Sequence, residues 1–243
     1  MRFPPVVAAL AVFGLGAAGC VALPREADEG PVAAPPRTVS VAEICGGTLF
    51  SADAGRALER VLSSTEFRIS KPEDDRSAAE LSKALEDAYR SGAEVRNMPS
   101  GVCEIKGTST GESKRAPTAS MRVTAGSGHA PLPDYMPGAN RTGVIVHRGV
   151  TDHTVGFDCV SARVGSTSEI PLRVTARFDG RRAYDARDAA SSGADQLALV
   201  HSAARSVAGE LGCENAGGLP DRFEDLVRFV AEPKASDTPV PPQ

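Results

Sequence analysis

Three stretches of the chain place apolar residues at helical spacing. Ser51 precedes Ala54, Leu58, Val61 and Leu62, and Ser77 precedes Leu81, Ala84, Leu85 and Ala88. A serine in front of a helix accepts a hydrogen bond from one of the first free N–H groups, and Ser77-x-x-Glu80 has the spacing of a capping box. Gly92 is a natural stop for this second helix. A longer helix is predicted from about Ala189 or Asp195 to Leu211, with a stripe of Leu197, Val200, Ala204, Val207 or Ala208, and Leu211. Gly212 supplies its left-handed stop. Asp221-x-x-Glu224, with Phe223, Leu226, Val227 and Val230, predicts a short last helix.

Period two marks the strands. Met121, Val123 and Ala125 alternate with polar residues, Val144 to Val150 reads as another strand, and Val155, Phe157 and Cys159 continue the pattern. Val102 to Lys106 is a short candidate. The clearest strand is Ile170 to Phe178, with Ile170, Leu172, Val174, Ala176 and Phe178 on one face and Arg173, Thr175 and Arg177 on the other. Such alternation predicts an antiparallel sheet with one covered face and one wet face. Gly165-Ser166-Thr167-Ser168 is placed to turn the chain between the last two strands. No βαβ rhythm appears, so the expected class is α+β, an antiparallel sheet with packed helices.

The N-terminus follows a different rule. Arg2 is followed by thirteen uncharged residues, Val6 to Ala18, and then Gly19-Cys20. A positive start, a short apolar run and small residues at its end make an export signal, because the run is too short to span a bilayer. Leu15-Gly16-Ala17-Ala18-Gly19-Cys20 resembles the lipobox of bacterial lipoproteins, with Ala17 where that family usually has leucine. The resemblance covers the first 20 residues and implies signal cleavage before Cys20 and a diacylated cysteine at the new N-terminus. Two acyl chains anchor a protein stably where one does not. The competing reading is an ordinary secretory signal cut nearby. From Val21 to Ser40, Pro24, Pro31, Pro35 and Pro36 stand among Ala, Glu and Arg without apolar periodicity, as in an extended tether. The expected organisation is therefore a signal over 1–19, a tether over 20–40, a globular part over 41–230 and a Pro-rich disordered tail over 231–243.

Export changes the reading of the cysteines. Beyond Cys20 there are four, Cys45, Cys103, Cys159 and Cys213, with no C-x-x-C spacing, and an even number in an oxidising exterior predicts two disulfides. Three pairings are open to the sequence. Separations of 58 and 54 residues favour Cys45 with Cys103 and Cys159 with Cys213, the second fastening the long helix to a strand. The near-equal loops also raise two related halves, 41–125 and 143–230, as a hypothesis.

Charge excludes some partners. Removal of residues 1–19 takes away Arg2 alone, leaving 26 Lys and Arg against 31 Asp and Glu, a net of −5. With no basic run beyond Lys114-Arg115 and Arg181-Arg182, no tryptophan and nine Phe and Tyr in the mature chain, a nucleic-acid surface is not expected.

Candidate chemistry is sparse. Gly107-Thr108-Ser109-Thr110-Gly111 has the G-x-S-x-G form of a nucleophile elbow, with Asp158 and His201 in the order a triad would need. The residues after it, Glu112 to Ser120, are polar, include Pro117 and show no helical face, so a solvated loop is the stronger reading. His147, Asp152 and His153, with His129 upstream, are the densest set of metal-ligand types, but their spacing is not that of a helical zinc site and exposed turn histidines are favoured. His201 beside Val200 reads as a packed core histidine. No cofactor is expected. Were there a ligand loop, residues 107–141 would be the place, with His129, Asp134, Tyr135 and Asn140 as candidates.

The expected function is a lipid-anchored, extracytoplasmic binding or accessory module of the bacterial cell envelope, non-enzymatic, held to the membrane through Cys20 and meeting an envelope protein or the cell wall. The alternative is a cell-surface hydrolase using Ser109 or a metal at His147, Asp152 and His153.

Overall fold

In the computed structural model, the described residues are 37–69, 75–92, 101–108, 117–127, 143–149, 152–180 and 189–229. They form a seven-stranded antiparallel sheet and three α-helices, an α+β fold. The strands are β1 (Arg37–Ser40), β2 (Glu66–Ile69), β3 (Gly101–Gly107), β4 (Thr118–Ser127), β5 (Ile145–Arg148), β6 (Asp152–Cys159) and β7 (Leu172–Asp179). The helices are α1 (Ala52–Leu62), α2 (Ala78–Arg90) and α3 (Ala189–Leu211). The sheet order is β1-β2-β3-β4-β7-β6-β5, so the strands of each half stay together and meet at the β4–β7 pair. Element order differs between the halves: helices alternate with strands in the first, whereas three strands precede one helix in the second.

Two helix starts form as their residues predict. The Ser51 side chain accepts from the Ala54 N–H at 3.3 Å. Ser77 and Glu80 make a reciprocal capping box, Glu80 N to Ser77 Oγ at 3.2 Å and Ser77 N to Glu80 Oε2 at 2.8 Å. That backbone N–H holds the Glu80 carboxyl below the ordinary carboxylate range.

The helices lie on one face of the sheet. α3 packs on β6 and β7, α2 on β4 and α3, and α1 on α3. Consequently α3 is enclosed on nearly all sides: Leu199 and Ala203 are as fully buried as the predicted stripe of Val200, Ala204, Val207 and Leu211. At its end the Gly212 N–H donates to Gly209 O at 3.0 Å and the Cys213 N–H to Ala208 O at 2.9 Å, with φ +66° at Gly212. This is a Schellman stop, and it fixes where Cys213 emerges. Ser161 Oγ and Arg163 Nη1 cap the remaining carbonyls of Leu211 and Glu210 at 2.6 and 2.5 Å.

Both disulfides pair as the spacing favoured. Cys45 joins Cys103 of β3 with Cα atoms 5.7 Å apart, and Cys213 joins Cys159 of β6 at 5.0 Å. The second bridge fastens the end of α3 to the sheet it covers.

Several expectations shift. β1 occupies residues 37–40, which carried no strand pattern, so regular structure begins before residue 41. Ile170 is not in the strand. It is 47% exposed in a bend that is followed by Pro171, which has no N–H to extend the ladder. The last helix is a 3₁₀ segment, Phe223–Phe229. Between it and Cys213, Asn215, Ala216, Gly217 and Gly218 run left-handed at φ +49° to +75°; a Cβ at Gly217 would collide with the Phe157 ring.

The face away from the helices is not uniformly wet either. Arg173 and Thr175 point there yet are buried. Arg173 grips Asp158 with two bonds, 2.8 and 3.1 Å, and the Gly143 N–H also donates to that carboxylate at 3.0 Å. Elsewhere on the same face Arg122 and Arg177 stand directly opposite across β4 and β7, with Arg177 paired to Asp152 at 3.3 Å.

Ser63 closes α1 with φ +47°, its N–H on Arg60 O at 3.2 Å and that of Ser64 on Glu59 O at 3.1 Å, a position that favours glycine. Ser63→Gly should raise the urea unfolding free energy by up to about 1 kcal/mol. Conversion of both Cys159 and Cys213 to alanine reopens a 54-residue loop and should lower it by about 2 to 5 kcal/mol in the same assay.

Candidate functional site

The cleft is formed where the start of α1, one side of α3 and the 219–224 segment meet, and it encloses about 450 Å³. Ser51 is the cap of α1 and Asp53 and Ala54 lie in its first turn, Ala198, His201, Ser202, Arg205 and Ser206 come from α3, and Asp221 to Glu224 from the last segment. The helical repeat accounts for the α3 wall: residues 198, 201, 202 and 205 are spaced by three and four and so share one side of the helix. The opposite side of α3 carries core residues Leu199, Ala203 and Val207.

Hydrogen bonds lock the walls together. The Ser51 N–H donates to Ser202 Oγ at 2.7 Å, joining the start of α1 to α3. His201 is buried, and its Nε2–H donates to the Pro220 carbonyl at 2.8 Å. That acceptor settles the tautomer, because a carbonyl cannot donate. Arg205 donates through Nη1 to Pro220 O at 2.8 Å and to Asp221 Oδ1 at 2.9 Å.

Electrostatically the cleft is mixed. Asp53, Asp221 and Glu224 face Arg205 and Arg222, with Arg222 paired to Glu224 at 3.4 Å and Asp53 paired to Arg56 on α1. Its own backbone N–H, and then Arg222, hold the Glu224 carboxyl below the ordinary range. Burial is the main force lowering the pKa of His201, with Arg205 adding to it against the Pro220 bond.

Nothing in this arrangement couples a nucleophile to a base. Ser51 Oγ caps α1 and Ser202 Oγ is engaged by the Ser51 N–H, while His201 Nε2 carries a proton already given to a carbonyl. A nucleophilic serine requires the base nitrogen at its own hydroxyl.

The residues singled out in the sequence are dispersed. His153 turns to the helix side, 2% exposed, with Nδ1 3.0 Å from Gln196 Oε1. His147, opposite Thr154, and Asp152, paired to Arg177, lie on the other face. Alternation along β6 therefore separates Asp152 from His153, and among the described residues no group of three His, Cys, Asp or Glu side chains is placed to hold a metal. Asp158 and His201 are likewise apart: Asp158 belongs to the Arg173 pair on the open face, and His201 is on a helix covering the other. Cys20, Ser109, His129, Asp134, Tyr135 and Asn140 lie outside the described residues. Arg205 and Ser202 were missed in the sequence, where the only signal was a polar i, i+3, i+4 set opposite an apolar stripe.

His153 and His201 both have pKa values lowered chiefly by burial. Each therefore favours the folded state fully above the unfolded-chain value of about 6.5, and this contribution is lost as pH falls through the window below it. Urea titrations from pH 7.5 to 5 should show falling stability. His201→Gln, whose amide can still donate to Pro220, should flatten part of that slope. In comparison with known proteins, the chain matches no protein-family profile, no curated protein and no solved structure.

Proposed function

We propose that the protein is a lipid-anchored, extracytoplasmic binding module of the bacterial cell envelope, without catalytic activity. The observation that carries this reading is the pair of long-range disulfides, Cys45–Cys103 and Cys159–Cys213, in a chain that opens on an export-type segment ending at Cys20. Disulfides of this kind persist where the surroundings oxidise thiols, which agrees with export. The lipobox-like residues supply the anchor: signal cleavage leaves Cys20 first, and diacylation holds it at the membrane. Among the described residues no helix is long and apolar enough to cross a membrane.

Binding fits the cleft better than turnover does. Its charged groups are fixed by neighbours and its histidine is committed to a backbone carbonyl, an arrangement suited to recognising polar groups. Anchoring adds to such a site by concentrating it at the membrane surface. The partner expected is a component of the envelope, a cell-wall fragment or another envelope protein.

Mass spectrometry of the membrane fraction tests the assignment. The N-terminal peptide should begin at Cys20 and carry the mass of the acyl chains, and alkylation without reductant should find no free thiol. Cys20→Ser should release the chain from that fraction. An unacylated chain recovered from the cytosol with titratable thiols would overturn the reading.

A further inference from the structure

We propose that the cleft between α1, α3 and residues 219–224 takes a small zwitterion with a free carboxylate and a free ammonium group, of the class of short peptides; this rests on the binding-module reading above.

The carboxylate end is argued from Arg205. Arg205 lines the cleft and its guanidinium is held in place, but every bond it makes runs through one nitrogen, Nη1, to Leu219 O, Pro220 O and Asp221 Oδ1. The edge formed by Nε–H and Nη2–H has no partner among the described residues. Two parallel N–H groups on one edge match the two oxygens of a carboxylate, and a guanidinium already oriented by its neighbours loses little freedom in accepting one.

The ammonium end is argued from the exposed carboxylates. Asp53, Asp221 and Glu224 line the cleft, each already paired, to Arg56, Arg205 and Arg222 in turn. Asp53 and Asp221 use Oδ1 in those pairs and their side chains are 83% and 94% exposed, which leaves the Oδ2 side of each for a ligand cation. A multiply charged anion would meet these carboxylates unfavourably. A simple cation would leave the Arg205 edge empty, and an apolar molecule would strip water from all five charges without replacing it. A molecule with both signs meets each. The half-buried Phe223, with Ala54 and Ala198, adds an apolar wall for a side chain, and about 450 Å³ lies within the range of small-molecule sites.

Isothermal titration of the oxidised, detergent-solubilised full chain tests this with four free dipeptides, alanine followed by alanine, lysine, glutamate or phenylalanine, each also N-acetylated and C-amidated. At least one free dipeptide should bind, and blocking either end should weaken it at least tenfold. Arg205→Lys keeps the charge but loses the fork, and should cost the free dipeptide about tenfold while leaving the amidated form nearly unchanged. Asp53→Asn, at an exposed position, should weaken the free form several-fold and the acetylated form little. Absence of heat with all four, or equal binding of blocked and free forms, overturns the proposal. The two readings fail separately. A chain acylated in the membrane fraction that binds no dipeptide keeps its module assignment and loses this ligand; a soluble, unacylated chain that binds one loses the anchor; release of free amino acids from a bound dipeptide refutes the non-enzymatic reading.

Discussion

Enclosure of α3 is the constraint on which the rest of the fold depends. A helix packed on β6 and β7 from below and on α1 and α2 from its other sides must be apolar wherever it is covered, and its alanines at 203, 204 and 208 let neighbours approach closely. Near its start Asp195 is paired to Arg60 of α1. Its far end is held instead by a left-handed stop at Gly212, by Ser161 and Arg163 on the last carbonyls, and by the Cys213–Cys159 bridge. Helix end and strand end are thereby joined by three kinds of bond within a few residues. One wall of the cleft is the polar side of the same helix.

The sheet's two faces do different work. The helix side is a continuous apolar core running from Phe67 and Ile105 through Met121 and Val174 to Phe157. The other side is polar but organised, with the buried Arg173 and the partly buried Asp158 joined as a two-bonded pair and Asp158 also receiving the Gly143 N–H. A largely desolvated pair of this kind gives little net stability relative to apolar substitutes, but breaking it leaves an uncompensated charge. Its effect is to hold the start of β5 in register beside β6. The like-charged Arg122 and Arg177 further along the same face are tolerated because Arg177 has Asp152 beside it and Arg122 projects into solvent.

Much of the fold was legible from local rules. Ser51 and the Ser77–Glu80 box start helices where a hydroxyl can cap, Gly212 ends one where only a left-handed residue serves, and the alternation from Leu172 to Phe178 marks a strand. β1 and β2 were not legible, since four residues with one or two buried positions each offer too short an alternation to stand out, and they are strands because each pairs with a neighbour distant in sequence. Ile170 misled because its side chain fits the period while Pro171 denies the backbone a bond. The cleft was the least legible part. Its residues come from segments about 150 positions apart, and Ser51, His201 and Asp221 each have a sufficient local explanation as cap, core residue or cap.

Caps, periodicity and cysteine separation act within or between identifiable short segments, and they were enough for the α+β class, the favoured disulfide pairing and the starts of α1 and α2. Burial of α3 on both sides rather than along one stripe, the parting of Asp152 and His153 to opposite faces, and the turn of Ser202 and Arg205 toward the start of α1 came from packing. Those outcomes depend on which surfaces meet, and the meeting of surfaces is set by the packing of the whole sheet and its helices.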